Sequence, residues 1–212
     1  MMRNVLVTIG GPRCSGVTSV VSRLIEWRPD FHRFNMEVCA AVYLGNANGG
    51  IQDFERYLEQ TIALLPPGIT IVDWGRYATR NQSGGFEPFV SARCIGRIVN
   101  LPTIEEMTMI RIDVDTFHLS DRRAAAPYLN CMQPASTDLV VIDRERMAEH
   151  NVFGEYVDEL CPRRLPTLNM IRKIDNVYLD VAARQILTWI EAMEEIKLMK
   201  MARVSRPERM VA

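Results

Sequence analysis

The residues best placed to do chemistry lie within the first twenty. The stretch GGPRCSGVTS, residues 10–19, follows the apolar run NVLVTI. From Gly11 it reads G-x-x-x-x-G-x-T, with Gly16 and Thr18 at the spacing of a loop that wraps a polyphosphate. In such a loop successive backbone N–H groups point inward, and the following helix adds its positive end. A hydroxyl such as that of Thr18 ligates Mg²⁺. Gly11, Pro12, Arg13, Cys14, Ser15, Gly16, Val17, Thr18 and Ser19 are therefore the candidate phosphate-binding residues, and Thr18 the candidate metal ligand. The lysine that normally precedes the hydroxyl is absent, and Val17 stands in its place. A comparable cation, the arginine finger, is worth roughly 10³–10⁵ in rate, or about 4–7 kcal/mol. Without a replacement such a loop binds and turns over little. Arg13, inside the loop, and Arg122 or Arg123 are the candidate replacements. The plainer reading of the same residues is a tight strand-to-helix turn.

The elements that must position this loop follow from periodicity. NVLVTI (4–9) predicts a buried strand, and VTSVVSRLIEW (17–27) a helix with Val20, Val21, Leu24 and Trp27 on one side. Pro29 ends that helix. FHRFNM (31–36) suggests a second strand. IQDFERYLEQTIALL (51–65) predicts a helix stopped by Pro66-Pro67-Gly68, and ITIVD (69–73) a strand ending in Asp73 before a loop rich in glycine and arginine. Beyond it the pattern predicts a helix over 86–99, strands at 107–115 and 138–143, a helix at 144–160, a strand at 170–175 and a terminal helix at 178–200. Strands alternating with helices imply an α/β chain whose parallel sheet is covered on both faces. The expected organisation is one domain over 1–200 and a flexible tail over 201–212.

Composition narrows the function classes. The 212 residues are 48% hydrophobic and 24% charged, with a net charge of −1. That balance gives no argument for a nucleic-acid or membrane surface. Cys14, Cys39, Cys94, Cys131 and Cys161 are odd in number and scattered, without C-x-x-C spacing. This argues against a disulfide framework or zinc site and fits a cytoplasmic or other reducing compartment. The three histidines are equally scattered, and the first apolar run is too short for a signal peptide or membrane span.

The stretch RIDVDTFHLSDRR (111–123) resembles the thymidylate kinase segment L-D-V-D-P-E-V-A-L-x-R, with Arg122 nine residues after Asp113. DRERMAEHNVFGEYVDEL sets Asp143, Arg144, Phe153 and Val157 in nearly the family's D-R-x-E helix spacing. KIDNVYLDVAARQILTWI is similar to its closing strand and helix through Ile174-Asp175 and Val181 to Ile186. In GITIVDWGRYATRNQSGG, Asp73 matches the aspartate of D-R-Y. Either Trp74 stands in the arginine's place, or Arg76-Tyr77 is the matching pair displaced by two. DRRAAAPY (121–128) is also similar to D-x-x-R-x-x-A-P-L of cytidylate kinases.

The resemblance implies a P-loop nucleoside-monophosphate kinase fold, with a parallel five-stranded sheet, helices on both faces, and a lid at about 120–160 carrying Arg122, Arg123 and Arg144. It implies transfer of the ATP γ-phosphoryl group to dTMP or a related pyrimidine nucleotide with Mg²⁺, in a homodimer. Asp73, Arg76, Tyr77 and Arg80 would then bind the monophosphate acceptor. Arg13, Asp73 and Arg122 would carry the catalysis. The departures fall on the loop: family loops read G-x-D-x-x-G-K-[ST], and here Arg13 replaces the aspartate and Val17 the lysine. Residues 124–142 have no counterpart in the pattern. Loss of both polar loop residues also fits another class, a pseudokinase that binds a nucleotide or protein partner without turnover.

The other candidates have plainer readings beside the functional ones. Asp73 either faces the crevice at the strand ends or caps the next helix. Arg76 and Arg80 are phosphate clamps or solvated loop residues. Asp113 and Asp115 read as turn or cap residues. Glu37 would act on the acceptor hydroxyl, and Phe54 and Tyr57 line a base-stacking wall or fill the core. His118 and His150 read as surface or packing residues.

Overall fold

The computed structural model describes residues 3–46, 51–125, 136–160 and 168–204. In chain order these form β1 (Asn4–Gly10), α1 (Val17–Trp27), β2 (His32–Asn35), α2 (Met36–Asn46), α3 (Ile51–Ala63) and β3 (Gly68–Gly75). A short antiparallel hairpin follows, β4 (Ala78–Arg80) and β5 (Phe86–Pro88). The remainder is α4 (Ala92–Val99), β6 (Ile104–Asp113), α5 (Thr116–Ala125), α6 (Leu139–Leu160), β7 (Leu168–Asp175) and α7 (Leu179–Val204). β2, β3, β1, β6 and β7 lie in that order in one parallel five-stranded sheet. The expected α/β class is therefore present, with helices on both faces.

Strand alternation divides the core between the faces. Leu6, Val72, Trp74, Met107 and Met109 pack with residues of α2, α3, α4 and α6. Their neighbours Val7, Ile9, Ile71, Ile110 and Ile112 point the other way, against Val20, Val21 and Leu24 of α1 and Ala182, Ala183, Ile186 and Ile190 of α7. Parallel strands need crossovers that cover the sheet, so the inner strands β3, β1 and β6 are buried on both sides. A small third cluster of Val114, Leu119 and Ile142 lies beneath α5 and α6.

Two sequence expectations are corrected. DLVVID is not a strand, because from Leu139 it is the start of α6. Asp138 accepts the Val140 N–H at 2.8 Å and the Ile142 N–H on its carbonyl, so it starts a helix despite the β-branched run. Ile142 is buried while Leu139 and Val140 are exposed, which is helical rather than alternating burial. Residues 86–99 are not one helix either. Phe86–Pro88 pair with β4, and Ser91 then caps α4 by accepting the Cys94 N–H. The glycine- and arginine-rich loop after Asp73 contains β4, which the sequence pattern did not suggest. Helix α7 runs to Val204, into the expected tail, and residues 205–212 lie outside the described residues. Of the expected insertion at 124–142, residues 126–135 also lie outside them.

Candidate phosphate-binding site

The loop leaves the sheet between its central strands: Gly10 pairs with Gly75 of β3 and with Arg111 of β6. That is the C-terminal edge where ligands of open α/β sheets bind. Gly11 donates its N–H to the Gly75 carbonyl at 3.0 Å. A Cβ at Gly11 would stand 2.4 Å from the Ile112 carbonyl oxygen, so space alone demands glycine. Gly16 needs glycine for conformation, with φ of +87°. Cys14 is also left-handed, with φ of +67°, inside a turn closed by the Ser15 N–H on the Pro12 carbonyl. Val20 donates to the Gly16 carbonyl, which starts α1, and Thr18 and Ser19 are exposed at its first turn. Val17, in the lysine's position, is only 6% exposed and packs into the apolar cluster under α1.

Two segments brace the loop from outside. Arg122 donates to the Ser15 carbonyl at 3.0 Å and to the Asn176 and Val177 carbonyls. Asn176 adds its side-chain Nδ2 to the same Ser15 carbonyl at 2.7 Å, and its own N–H to the Asp113 carbonyl. Arg123 is fully buried; it donates to the Arg13 and Ser136 carbonyls and pairs with Glu145 at 2.6 Å. Arg122 and Arg123, expected as charges on a lid, thus hold loop carbonyls in this structure. Ser15 Oγ and Asn176 Oδ1 are buried without a hydrogen-bond partner among the described residues. Buried polar atoms of this kind are satisfied by water or by a polar ligand.

On the other flank lies Asp73, 2% exposed. One carboxylate oxygen accepts from the Thr18 hydroxyl at 3.4 Å. The other accepts from Arg33 at 2.8 Å and from Asn35 at 3.5 Å, both on β2. Thr18 and Asp73 together make an all-oxygen donor pair of the kind Mg²⁺ takes alongside phosphate oxygens. No group of three or more His, Cys, Asp or Glu residues arranged for a metal occurs among the described residues, so a cation here would share its shell with a phosphate or water.

Beyond β6 the charges are paired. Asp113 meets Arg146 through both carboxylate oxygens at 3.1 Å and Arg111 at 3.6 Å, and accepts the Val114 N–H. Burial opposes its ionisation, but the Arg146 contact and both positive charges prevail and hold its pKa below the usual carboxylate range. Glu149 of α6 accepts the N–H groups of Tyr77 and Ala78 at 2.9 and 3.2 Å. Burial dominates there and pushes its pKa up to about 7, against these two bonds and the charges of Arg76 and Arg111.

Of the remaining candidates, Arg76, Arg80, Glu37 and His150 are exposed. Tyr77 is buried, donates to the Ile110 carbonyl and lies against Phe153 and Tyr156. It packs beneath the loop at Gly10 rather than opening onto solvent. Phe54 and Tyr57 each pack on Tyr43 in the core. His118 pairs with Asp115. Arg144 is exposed and lines a groove of about 470 Å³ between α6 and the β4–β5 hairpin, with Phe86, Asp143, Met147, Asn151 and Glu155. Sequence reasoning missed Arg33, Arg146, Glu149 and Asn176. Asn176 carries a readable signal, since it follows the end of a predicted strand; Arg33 lies inside one, and the other two lie on a helix face like any solvated charge.

No family model matches the chain, and no curated protein matches it. Among solved structures, a gluconokinase from Sinorhizobium meliloti 1021 is similar with a TM-score of 0.52 at 9% identity, over 92% of this chain and 95% of that one. A protein provisionally described as a kinase, from Chloroflexus aurantiacus j-10-fl, has a TM-score of 0.51 at 10% identity, over 91% and 98%. At such identities the likeness is one of fold alone: a parallel α/β sheet covered by helices, shared with proteins described as kinases.

Proposed function

We propose that this chain is a P-loop phosphotransferase that moves the γ-phosphoryl group of ATP to dTMP or a related pyrimidine nucleotide. The observation that supports it most is the pairing of a glycine-built loop at the sheet's central strand with a buried carboxylate, Asp73, on the first-turn hydroxyl of Thr18. In this reading the amides of residues 11–18 and the N-terminal end of α1 bind the phosphates. Thr18 and Asp73 would hold Mg²⁺, which when bound screens the charge of the phosphate oxygens. Arg13 supplies loop charge, while Arg122 and Asn176 act as positioning residues by fixing the Ser15 carbonyl.

The acceptor lies toward Arg76 and the groove under the hairpin. The Asp143 end of that groove meets Arg146, which in turn holds Asp113 at the end of β6. The choice of dTMP rests on the sequence resemblance over 111–123 and 143–157. The test is chromatographic detection of ADP and nucleoside diphosphate, with ATP, Mg²⁺ and each common monophosphate in turn. Product with dTMP or another pyrimidine monophosphate is expected, and Asp73→Asn should lower its formation at least about 100-fold. Tight ATP binding without product from any acceptor would replace the enzyme with a binding module.

A further inference from the structure

Where does the positive charge come from, if Val17 faces the core? Arg33 stands on the edge strand β2, two residues before the position that pairs with Asp73. Its guanidinium nevertheless reaches Asp73 Oδ2 at 2.8 Å, so the side chain extends along the sheet toward the crevice. A second nitrogen donates to Ser22 Oγ at 3.2 Å, and Ser22 in turn donates to the Thr18 carbonyl. The guanidinium thus lies beside the first two turns of α1, one carboxylate away from the Thr18 hydroxyl. Its side chain is 33% exposed, so it can move without disturbing the core.

We propose that Arg33 is an exchangeable counter-charge that replaces the missing loop lysine. Without a metal it neutralises the buried Asp73. Once Asp73 is engaged by a divalent cation, the guanidinium is repelled from that carboxylate and turns to the nearest new anion, a phosphate oxygen of the bound nucleotide. Arginine suits the exchange because its planar fork fits carboxylate and phosphate alike. The inference rests on the phosphotransferase reading for the identity of the anion, but its first half, competition between Arg33 and a cation for Asp73, does not.

Two measurements on the full chain separate these halves. Mn²⁺ binding by electron paramagnetic resonance, without nucleotide, is compared in wild type, Arg33→Met and Arg33→Lys. Binding of a fluorescent ATP analogue is then compared at saturating Mg²⁺. Arg33→Met should bind Mn²⁺ about tenfold more tightly, because its competitor is gone, and the ATP analogue about 10–100-fold more weakly. Arg33→Lys should fall between. These opposite signs exclude simple structural damage, which weakens both. Parallel weakening, or no change in either, would overturn the role of Arg33. A folded wild type that binds no ATP analogue at any Mg²⁺ concentration would instead overturn the phosphotransferase reading.

Discussion

Replacing Glu149 with glutamine removes an ionisable group from the junction between α6 and the turn after β3. In the folded chain, burial moves this carboxyl from 4.5 to about 7, so the native state keeps a proton that the unfolded state releases. Its contribution to stability is therefore full below pH 4.5 and is lost as pH rises through 7. At about 1.4 kcal/mol per pH unit the whole change is about 3 kcal/mol, most of it between pH 5 and pH 8. Glutamine keeps one oxygen for the Tyr77 and Ala78 amides and turns an N–H₂ toward the other. That mismatch costs about 1–3 kcal/mol, but equally at every pH. The assay is urea unfolding of wild type and Glu149→Gln at pH 5, 6, 7 and 8, read as the difference in stability. Wild type should lose about 2–3 kcal/mol relative to the variant across that range. Taking the difference cancels carboxylates such as Asp113, whose lowered pKa gives stability the opposite slope at acid pH. A flat difference curve, or one that rises with pH, would refute the reasoning. It would mean that the two amides with Arg76 and Arg111 outweigh burial.

Three further substitutions test the loop's construction. Gly11→Ala should cost about 1–3 kcal/mol, because the methyl would meet the Ile112 carbonyl at 2.4 Å; an unchanged Tm would show that the loop has room. Val17→Lys should lower Tm, because it places an ammonium where a side chain only 6% exposed now packs among Val20, Val21 and Ile9. A variant as stable as wild type would mean the longer side chain turns out into the loop. Arg123→Met should lose about 2–3 kcal/mol in urea unfolding, since it strips donors from the Arg13 and Ser136 carbonyls while water still reaches Glu145. A loss below about 0.5 kcal/mol would show that those carbonyls find other partners.

The central unit of strand, loop and helix was legible because each part carries a local signal. α1 spans the 17–27 expected from its periodicity, and the sheet's parallel order follows from the alternation of strands and helices. DLVVID was misread because β-branched side chains favour strands, whereas the Asp138 cap starts a helix and Ile142 finds Val114 and Leu119 on one side of it. Arg122 and Arg123 were visible as charges, but the half-burial of the one and full burial of the other were not, because both depend on loop carbonyls about a hundred residues away. Glu149 was illegible for the same reason. Its partners are two backbone amides 72 and 71 positions earlier, which no side-chain pattern announces.

The brace on Ser15 also sets a timetable. The loop leaves the ribosome well before its brace, because the Ser15 carbonyl is held by Asn176, 161 positions later. At about 5–20 residues per second, translation needs roughly 8–30 s to supply that side chain. Throughout that interval the emerged loop lacks at least one of the two side chains that hold the Ser15 carbonyl, and Arg122 itself arrives only 107 positions behind Ser15. A nucleotide met by the growing chain would have to order the loop itself. The fully synthesised chain offers it already shaped. Under the proposed reading, ligand binding would act on the last step of maturation, rewarding chains whose β7 has taken its place beside β6.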